Sequence, residues 1–90
     1  MLSINGSVKS QKQTIGTSAT QIPTTNLGSR KSAIIKNNSG GILYLGGADV
    51  TVAQGYPLEV GDEFIMATNS NAAIYGISES SVEVRVMEAF

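Results

Sequence analysis

The stretch Ser81–Glu88, SVEVRVME, decides the fold of this 90-residue chain. Valine occupies every second position, at 82, 84 and 86, and larger polar or flexible side chains lie between the valines. A period of two is typical of a β-strand that buries one face and exposes the other. No segment of ten or more residues keeps the 3.6-residue period of an amphipathic helix. The sequence therefore predicts an all-β protein.

Outward from this strand, short apolar runs bounded by turn residues predict further strands. They are Ala72–Ile77, Glu63–Thr68, Ile42–Gly46, Ser32–Asn37 and Val8–Gly16. Two hairpins are expected, one closed by the SESS turn at 78–81 and one by the NSGG turn at 38–41. Five or six strands at this spacing predict a small antiparallel β-sandwich or jelly-roll-like barrel, and the sandwich is favoured. The predicted core residues are Ile34, Ile42, Tyr44, Leu58, Phe64, Met66, Ile74, Ile77, Val82, Val84 and Val86.

The first 28 residues differ from the rest in pattern. Residues 18–29 are small and polar, and Pro23 has no amide hydrogen to give to a central strand. We predict that residues 1–28 form an extended N-terminal arm, or an edge strand plus a linker, and that residues 29–90 form the sandwich domain. A single domain is all that this length supports, and its limited core favours oligomerisation.

The composition excludes several classes of protein. Only 14% of the residues are charged, and Ser, Thr, Asn and Gly take their place. The chain has no cysteine, so disulfides and thiolate chemistry are excluded. No apolar run approaches the roughly 18 residues of a membrane-spanning helix, and the N-terminus lacks the apolar region of a signal peptide. We expect a protein made in a cytoplasm that does not enter a membrane.

The charges divide along the chain. All acidic residues follow residue 48, where Arg85 is the only basic residue, and the other five basic residues come before residue 37. Three interpretations are open: the strands pair so that the charges neutralise locally, the basic half meets the acidic half of a neighbouring copy, or the basic half binds nucleic acid. The last is the weakest, because no aromatic residue is interleaved with the basic ones to stack on bases.

Catalytic and cofactor motifs are missing from the pattern. The segment 44–64 carries Asp49, Glu59, Asp62 and Glu63, but their spacing does not match a calcium loop. The pairs Gly40-Gly41 and Gly46-Gly47 are not followed by a helix that could hold a phosphate, and the run after Gly47 is strand-like. The absence of histidine and cysteine excludes a histidine base and a cysteine nucleophile; a Ser-Lys or paired-carboxylate site stays open, but no motif marks one. We predict no metal, no cofactor and no enzymatic activity.

The three tyrosines suggest contact surfaces of different kinds. Tyr44 and Tyr75 lie within predicted strands and are expected to pack in the core or across strands. Tyr56 comes directly before Pro57 in a predicted loop, which makes it the best candidate for an exposed aromatic anchor at a partner interface.

Two long segments together resemble short virion proteins of tailed bacteriophages. They are SRKSAIIKNNSGGILYLGGADVTVAQGYPLEVGDEF at 29–64 and AIYGISESSVEVRVMEAF at 73–90, and the span from Ser29 to Phe90 is roughly two thirds of the chain. The resemblance implies a structural part of the particle: a capsid decoration or cement protein on the virion surface, a head-fibre base, or a neck or tail component. Cement proteins of this kind commonly form trimers over the junctions of capsid subunits.

Under this resemblance the partner is the major capsid protein or another virion protein, together with further copies of the chain. The residues expected to bind partners are Lys9, Lys12, Pro23, Arg30, Lys31 and Tyr56. Two alternatives stay open: a carbohydrate-binding or receptor-binding module at a fibre, and a free bacterial protein with a small-ligand pocket.

Overall fold

The computed structural model describes residues 8–22, 32–66 and 73–89, which form eight β-strands and no helix. The prediction of an all-β protein is confirmed. Consistent with this, none of these residues belongs to a helix long and apolar enough to span a membrane. In chain order the strands are β1 (Val8–Ile15), β2 (Thr20–Ile22), β3 (Ser32–Ser39), β4 (Leu43–Gly46), β5 (Tyr56–Leu58), β6 (Glu63–Met66), β7 (Ile74–Ile77) and β8 (Val82–Ala89).

The strands form two antiparallel four-stranded sheets. The first sheet has the order β1-β8-β3-β6 and the second has the order β2-β7-β4-β5. The antiparallel pairs are nested along the chain: β1 pairs with β8, β2 with β7, β3 with β6 and β4 with β5. One long hairpin wound around a barrel has this pattern of pairs. This is the topology of an eight-stranded jelly roll, so the predicted sandwich or jelly-roll-like barrel is confirmed.

Both predicted hairpins are wrong. β7 and β8 lie in different sheets, and so do β3 and β4, so each short connection crosses between the layers. The connection that crosses from β3 to β4 contains Gly40 and Gly41 at φ values of 108° and 131°, which residues other than glycine rarely adopt. A Cβ atom on Gly40 would collide with the backbone oxygen of Ser81, so the two crossings also pack against each other. Only β4 and β5 follow one another within a sheet.

The core lies between the two sheets, and part of the predicted core is one residue out of phase. Its buried residues are Ile15, Ile22, Ile35, Leu43, Leu45, Leu58, Ile74, Val82, Val84 and Val86. The predictions for Ile34, Ile42, Tyr44 and Ile77 are wrong, because these residues are exposed or only half-buried. A shift of one residue along a strand moves every side chain to the other face. Phe64 packs against the core from the side, and the side chain of Met66 lies outside the described residues.

One short strand and a loop differ from the sequence prediction. β5 was not predicted as a strand, whereas β2 lies in the N-terminal segment for which an edge strand was one of the two expectations. Within the described residues both are three residues long, and both lie at edges of the second sheet. The strand-like run after Gly47 forms successive turns instead, with the Val50 amide donating to the Gly47 carbonyl at 3.0 Å. Val50 packs so closely on Gly46 that a Cβ atom there would approach its Cγ2 to 2.8 Å. The loop therefore folds back onto the second sheet.

The N-terminal segment takes part in both sheets. β1 is an edge of the first sheet and β2 an edge of the second, and they contribute Ile15 and Ile22 to the core. The side chain of Gln13 ties the two strands together by donating to the Gln21 carbonyl at 2.8 Å. The division of the chain into residues 1–28 and 29–90 stays a prediction.

Asn37 holds one end of the sandwich together. Its side chain is fully buried, and its Nδ2 atom donates to the carbonyl oxygens of Gly41 and Leu58, each at 2.7 Å. Its backbone amide donates to Asp62 at 3.1 Å, and its carbonyl accepts from Gly61 at 2.8 Å. One residue of β3 thus fixes the crossing into β4, the end of β5 and the turn into β6.

The phase of β4 can be tested with neighbouring residues. Leu43 is fully buried, whereas 40% of Ile42 is exposed. Leu43→Ala should lower the free energy of unfolding by about 2 to 5 kcal/mol, because it leaves a cavity. Ile42→Ala should lower it by less than about 1 kcal/mol. Urea denaturation measures both, and equal losses would contradict the assigned phase.

The role of Asn37 can be tested against its exposed neighbour. Asn37→Ala removes both donors and leaves two carbonyls short of a partner, so it should cost about 2 to 4 kcal/mol of unfolding free energy. The Oδ1 atom has no hydrogen-bond partner within the described ranges, which favours the lower end of this range. Asn38→Ala is the control and should change stability by about 0.5 kcal/mol or less. A larger loss for Asn38→Ala in thermal or urea unfolding would refute the assignment.

Candidate partner-binding surface

The outer face of the first sheet carries three cations side by side. Along β8 the valines point inward, so Glu83, Arg85 and Met87 point outward. The strand registers place Lys12 of β1 directly opposite Arg85, and Arg85 directly opposite Lys36 of β3. We call Lys12, Arg85 and Lys36 the basic row. It crosses three of the four strands of the sheet.

An apolar row lies beside the basic row. Met87 pairs with Ile34, and Ile34 pairs with Ile65 of β6. Ile65 is 65% exposed and Met87 is 44% exposed, so the row presents apolar surface to solvent. We call Met87, Ile34 and Ile65 the apolar row. Apolar side chains beside charged ones are the arrangement expected at a protein interface, where an apolar centre has a polar rim.

A shallow depression of about 360 Å³ joins the two rows. Its lining includes the basic row, Ile34, Met87 and the acidic Glu63. It lies on an open sheet face, so it suits a protruding side chain or turn of another protein better than an enclosed small molecule.

Among the residues that the structure describes, the basic row is only partly neutralised. Arg85 forms an ion pair with Glu83, with Nη2 2.7 Å from Oε2, and Glu63 lies opposite Lys36 in the register. Like charges directly opposite one another destabilise a sheet, and this row contains two such pairs. The local neutralisation expected from the division of charge along the chain is therefore incomplete on this face.

The ion pair between Arg85 and Glu83 affects the protonation of the Glu83 carboxylate. The hydrogen bond from Arg85 holds the pKa of Glu83 below its ordinary value, with smaller contributions from the Arg85 charge, from Asn38 and from Lys12. Asn38 donates to the same carboxylate oxygen at 3.1 Å. The Glu83 carboxylate is thus held in its charged form.

The predicted partner-binding residues are not brought together. Lys12 belongs to the basic row, but Lys9 lies on the other face of β1, where it is paired in register with the buried Glu88. Tyr56 is 64% exposed and sits on β5, with its ring 6.4 Å from that of Phe64 on β6. Since β6 and β1 are opposite edges of the first sheet, Tyr56 lies across the molecule from Lys12. The other three, Pro23, Arg30 and Lys31, lie outside the described residues.

Sequence reasoning missed Arg85 and Lys36 as partners of Lys12. The outward phase of Arg85 could be read from the valine alternation of β8. What could not be read was the strand order, because the basic row exists only when β1 and β3 flank β8.

The outer face of the second sheet is chemically different. Its described outward residues carry no charge: Gln21, Tyr44, Gly46, Pro57, Tyr75 and Ile77. Tyr44 lies opposite Ile77, and Tyr75 opposite Gly46, so the two rings occupy diagonal positions on one face. They serve cross-strand packing and not the core between the sheets.

The described ranges contain no constellation of side chains that would bind a metal ion. No three His, Cys, Asp or Glu side chains there are placed to hold a metal ion together. The turns after Gly47 also provide no helix N-terminus for a phosphate.

Comparison of the chain with protein-family models, with curated proteins and with solved structures found no match. Its function must therefore be argued from its own surfaces.

Replacing Arg85 should release the Glu83 carboxylate. We expect Arg85→Met to raise the pKa of Glu83 toward its ordinary value, and Lys12→Met, the control, to raise it less. Because the folded pKa is the lower one, this ion pair stabilises the fold above the unfolded pKa and loses its effect as the pH falls through the folded pKa. Carboxyl ¹³C NMR titration measures the shift. An unchanged pKa in Arg85→Met would contradict the assigned cause.

Proposed function

We propose that this chain is a non-enzymatic structural protein of a tailed-bacteriophage virion that binds the capsid surface and stabilises it as a decoration protein. The resemblance of residues 29–64 and 73–90 to short virion proteins supplies the class. The outer face of the first sheet supplies a means of attachment.

The observation that carries the proposal is the basic row. Lys12, Arg85 and Lys36 are direct cross-strand neighbours, an arrangement that costs stability in the free protein. An acidic partner surface relieves this repulsion, and the neighbouring apolar row adds area that is favourable to bury. The face therefore suits an acidic protein surface with apolar side chains in it.

The scaffold agrees with this role. A jelly roll whose crossings are tied together by Asn37 and by glycines at positive φ is a stiff body that presents flat faces. Jelly rolls occur in viral capsid proteins but also in lectins and cupins, so the fold by itself supports the proposal only by analogy.

The proposed partner is the major capsid protein or another virion protein. The two outer faces differ, which favours binding in one orientation, with the basic row toward the particle. Several copies per site, with a trimer favoured, agree with the small core of a 90-residue chain.

A neck or tail position uses the same face and differs only in the partner. The carbohydrate-binding alternative has one observation in its favour, since Tyr44 and Tyr75 share the uncharged outer face of the second sheet. Retention on glycan resins that is lost in Tyr75→Ala would favour it over decoration.

Rebinding to stripped capsids tests the proposal. We expect the wild-type protein to bind, to raise the melting temperature of the particles, and to bind less as salt increases, because screening acts over about 10 Å at 0.1 M. The double variant Lys12→Glu, Lys36→Glu should bind about tenfold to thirtyfold more weakly.

The control places the same new charge on the other face. Gln21→Glu adds a carboxylate to the outer face of the second sheet and should leave capsid binding unchanged. Absence of wild-type binding at low salt would count against decoration, and equal losses in both variants would count against the basic row.

A further inference from the structure

The sandwich has four edge strands, and within the described residues three of them offer only a short edge to another strand. β5 is three residues long and contains Pro57. β2 and β6 run for three and four residues within the described ranges. A short edge and a proline both hinder pairing at the side of a sheet.

β1 is the exception. It runs for eight residues and pairs with β8 in continuous register from Val8 to Ile15, without a bulge or a proline. Within the described ranges no strand pairs with its other edge. Half of its backbone amide and carbonyl groups, those of about four alternate residues, point away from β8 in an antiparallel ladder. A long regular edge of this kind is a template for one more strand.

The charges of β1 select the kind of strand that can join it. Lys9 and Lys12 are both exposed, and because they are three residues apart they lie on opposite faces of the sheet. β1 has no acidic residue. Two copies joined through β1 would bring four lysines to the seam with no carboxylate on either β1 strand, so self-pairing is disfavoured. An acidic strand places a carboxylate beside each lysine.

We infer that the open edge of β1 takes an extended acidic segment of the partner as a ninth strand of the first sheet. The segment carries two carboxylates three residues apart, one opposite Lys9 on one face and one opposite Lys12 on the other. This inference rests on the proposed function. It names a segment of the capsid partner, which extends from the surface bound at the basic row to the edge of the sheet at β1. It also gives Lys9 a role that the outer face alone does not.

The first experiment uses a synthetic ten-residue peptide of alternating valine and threonine with two glutamates three residues apart. Its control carries glutamines at those two positions. Added to the full-length protein, the glutamate peptide should slow amide hydrogen exchange at alternate residues of β1 and leave β2, β5 and β6 unaffected. The glutamine peptide should bind about tenfold more weakly, from two lost cross-strand charge pairs.

A charge-reversed protein provides the matched test. The Lys9→Glu, Lys12→Glu variant should reject the glutamate peptide and bind a lysine version of it. Exchange that slows equally with the glutamate and glutamine peptides, protection at another edge, or no binding of the glutamate peptide would overturn the inference.

Exchange on reassembled capsids separates this inference from the proposed function. If both hold, particle-bound protein shows slowed exchange at the alternate outward amides of β1. If the protein binds capsids through the basic row while β1 exchanges as in the free protein, the inference is wrong and the decoration role stands. If the protein binds the glutamate peptide but does not bind capsids, strand addition at β1 stands and the decoration role is wrong.

Discussion

The alternation of side chains along β8 is the constraint on which the rest of the structure depends. β8 is the one strand that pairs along its length with two eight-residue neighbours, β1 and β3. Its three valines are almost completely buried, and burying them fixes which face of the strand points inward. Because the period is two, the same choice sends Glu83, Arg85 and Met87 outward. The registers of β8 with β1 and β3 then fix which side chains of those strands point inward and which point outward. The same alternation in β8 therefore determines both the buried core and the basic row.

The consequence for function is a body with chemically distinct sides. The outer face of the first sheet is basic and apolar, the outer face of the second is uncharged and contains two tyrosines, and β1 is the one long open edge of the described sheets. The proposed decoration role would use such a difference, because a protein that covers a shell binds through one surface and leaves another toward solvent or toward neighbouring copies. The repulsion within the basic row fits this account. It lowers the stability of the free protein, and an acidic partner can offset that loss in the complex.

Much of the fold could be predicted from the sequence, and the errors have physical reasons. The phase of β8 is readable because valines alternate with charged residues. β3 contains Ile34 next to Ile35, and Ile42 directly precedes Leu43, Tyr44 and Leu45 of β4, so by composition either phase of these strands could fill the core. The glycine turn at 40–41 has the composition of a hairpin, yet the same positive φ values serve a crossing between sheets.

The candidate surface was less accessible to prediction than the fold. Lys12 could be named from its charge, but Arg85 and Lys36 join it only through pairings between residues that are 73 (85 − 12) and 49 (85 − 36) positions apart along the chain. Tyr56 was correctly expected to be exposed, and nothing in the sequence showed that it would lie across the molecule from Lys12. Register and strand order, which are properties of the assembled sheet, supplied what composition could not.

The most direct measurement is zero-length carbodiimide cross-linking of the protein bound to stripped capsids, followed by peptide mass spectrometry. This reagent joins a lysine amine to a carboxylate only when the two are in contact. The account predicts links from Lys12 and Lys36 to acidic residues of the capsid protein. Bound particles in which neither lysine is linked, and in which both react with an acetylating reagent as readily as in the free protein, would contradict it.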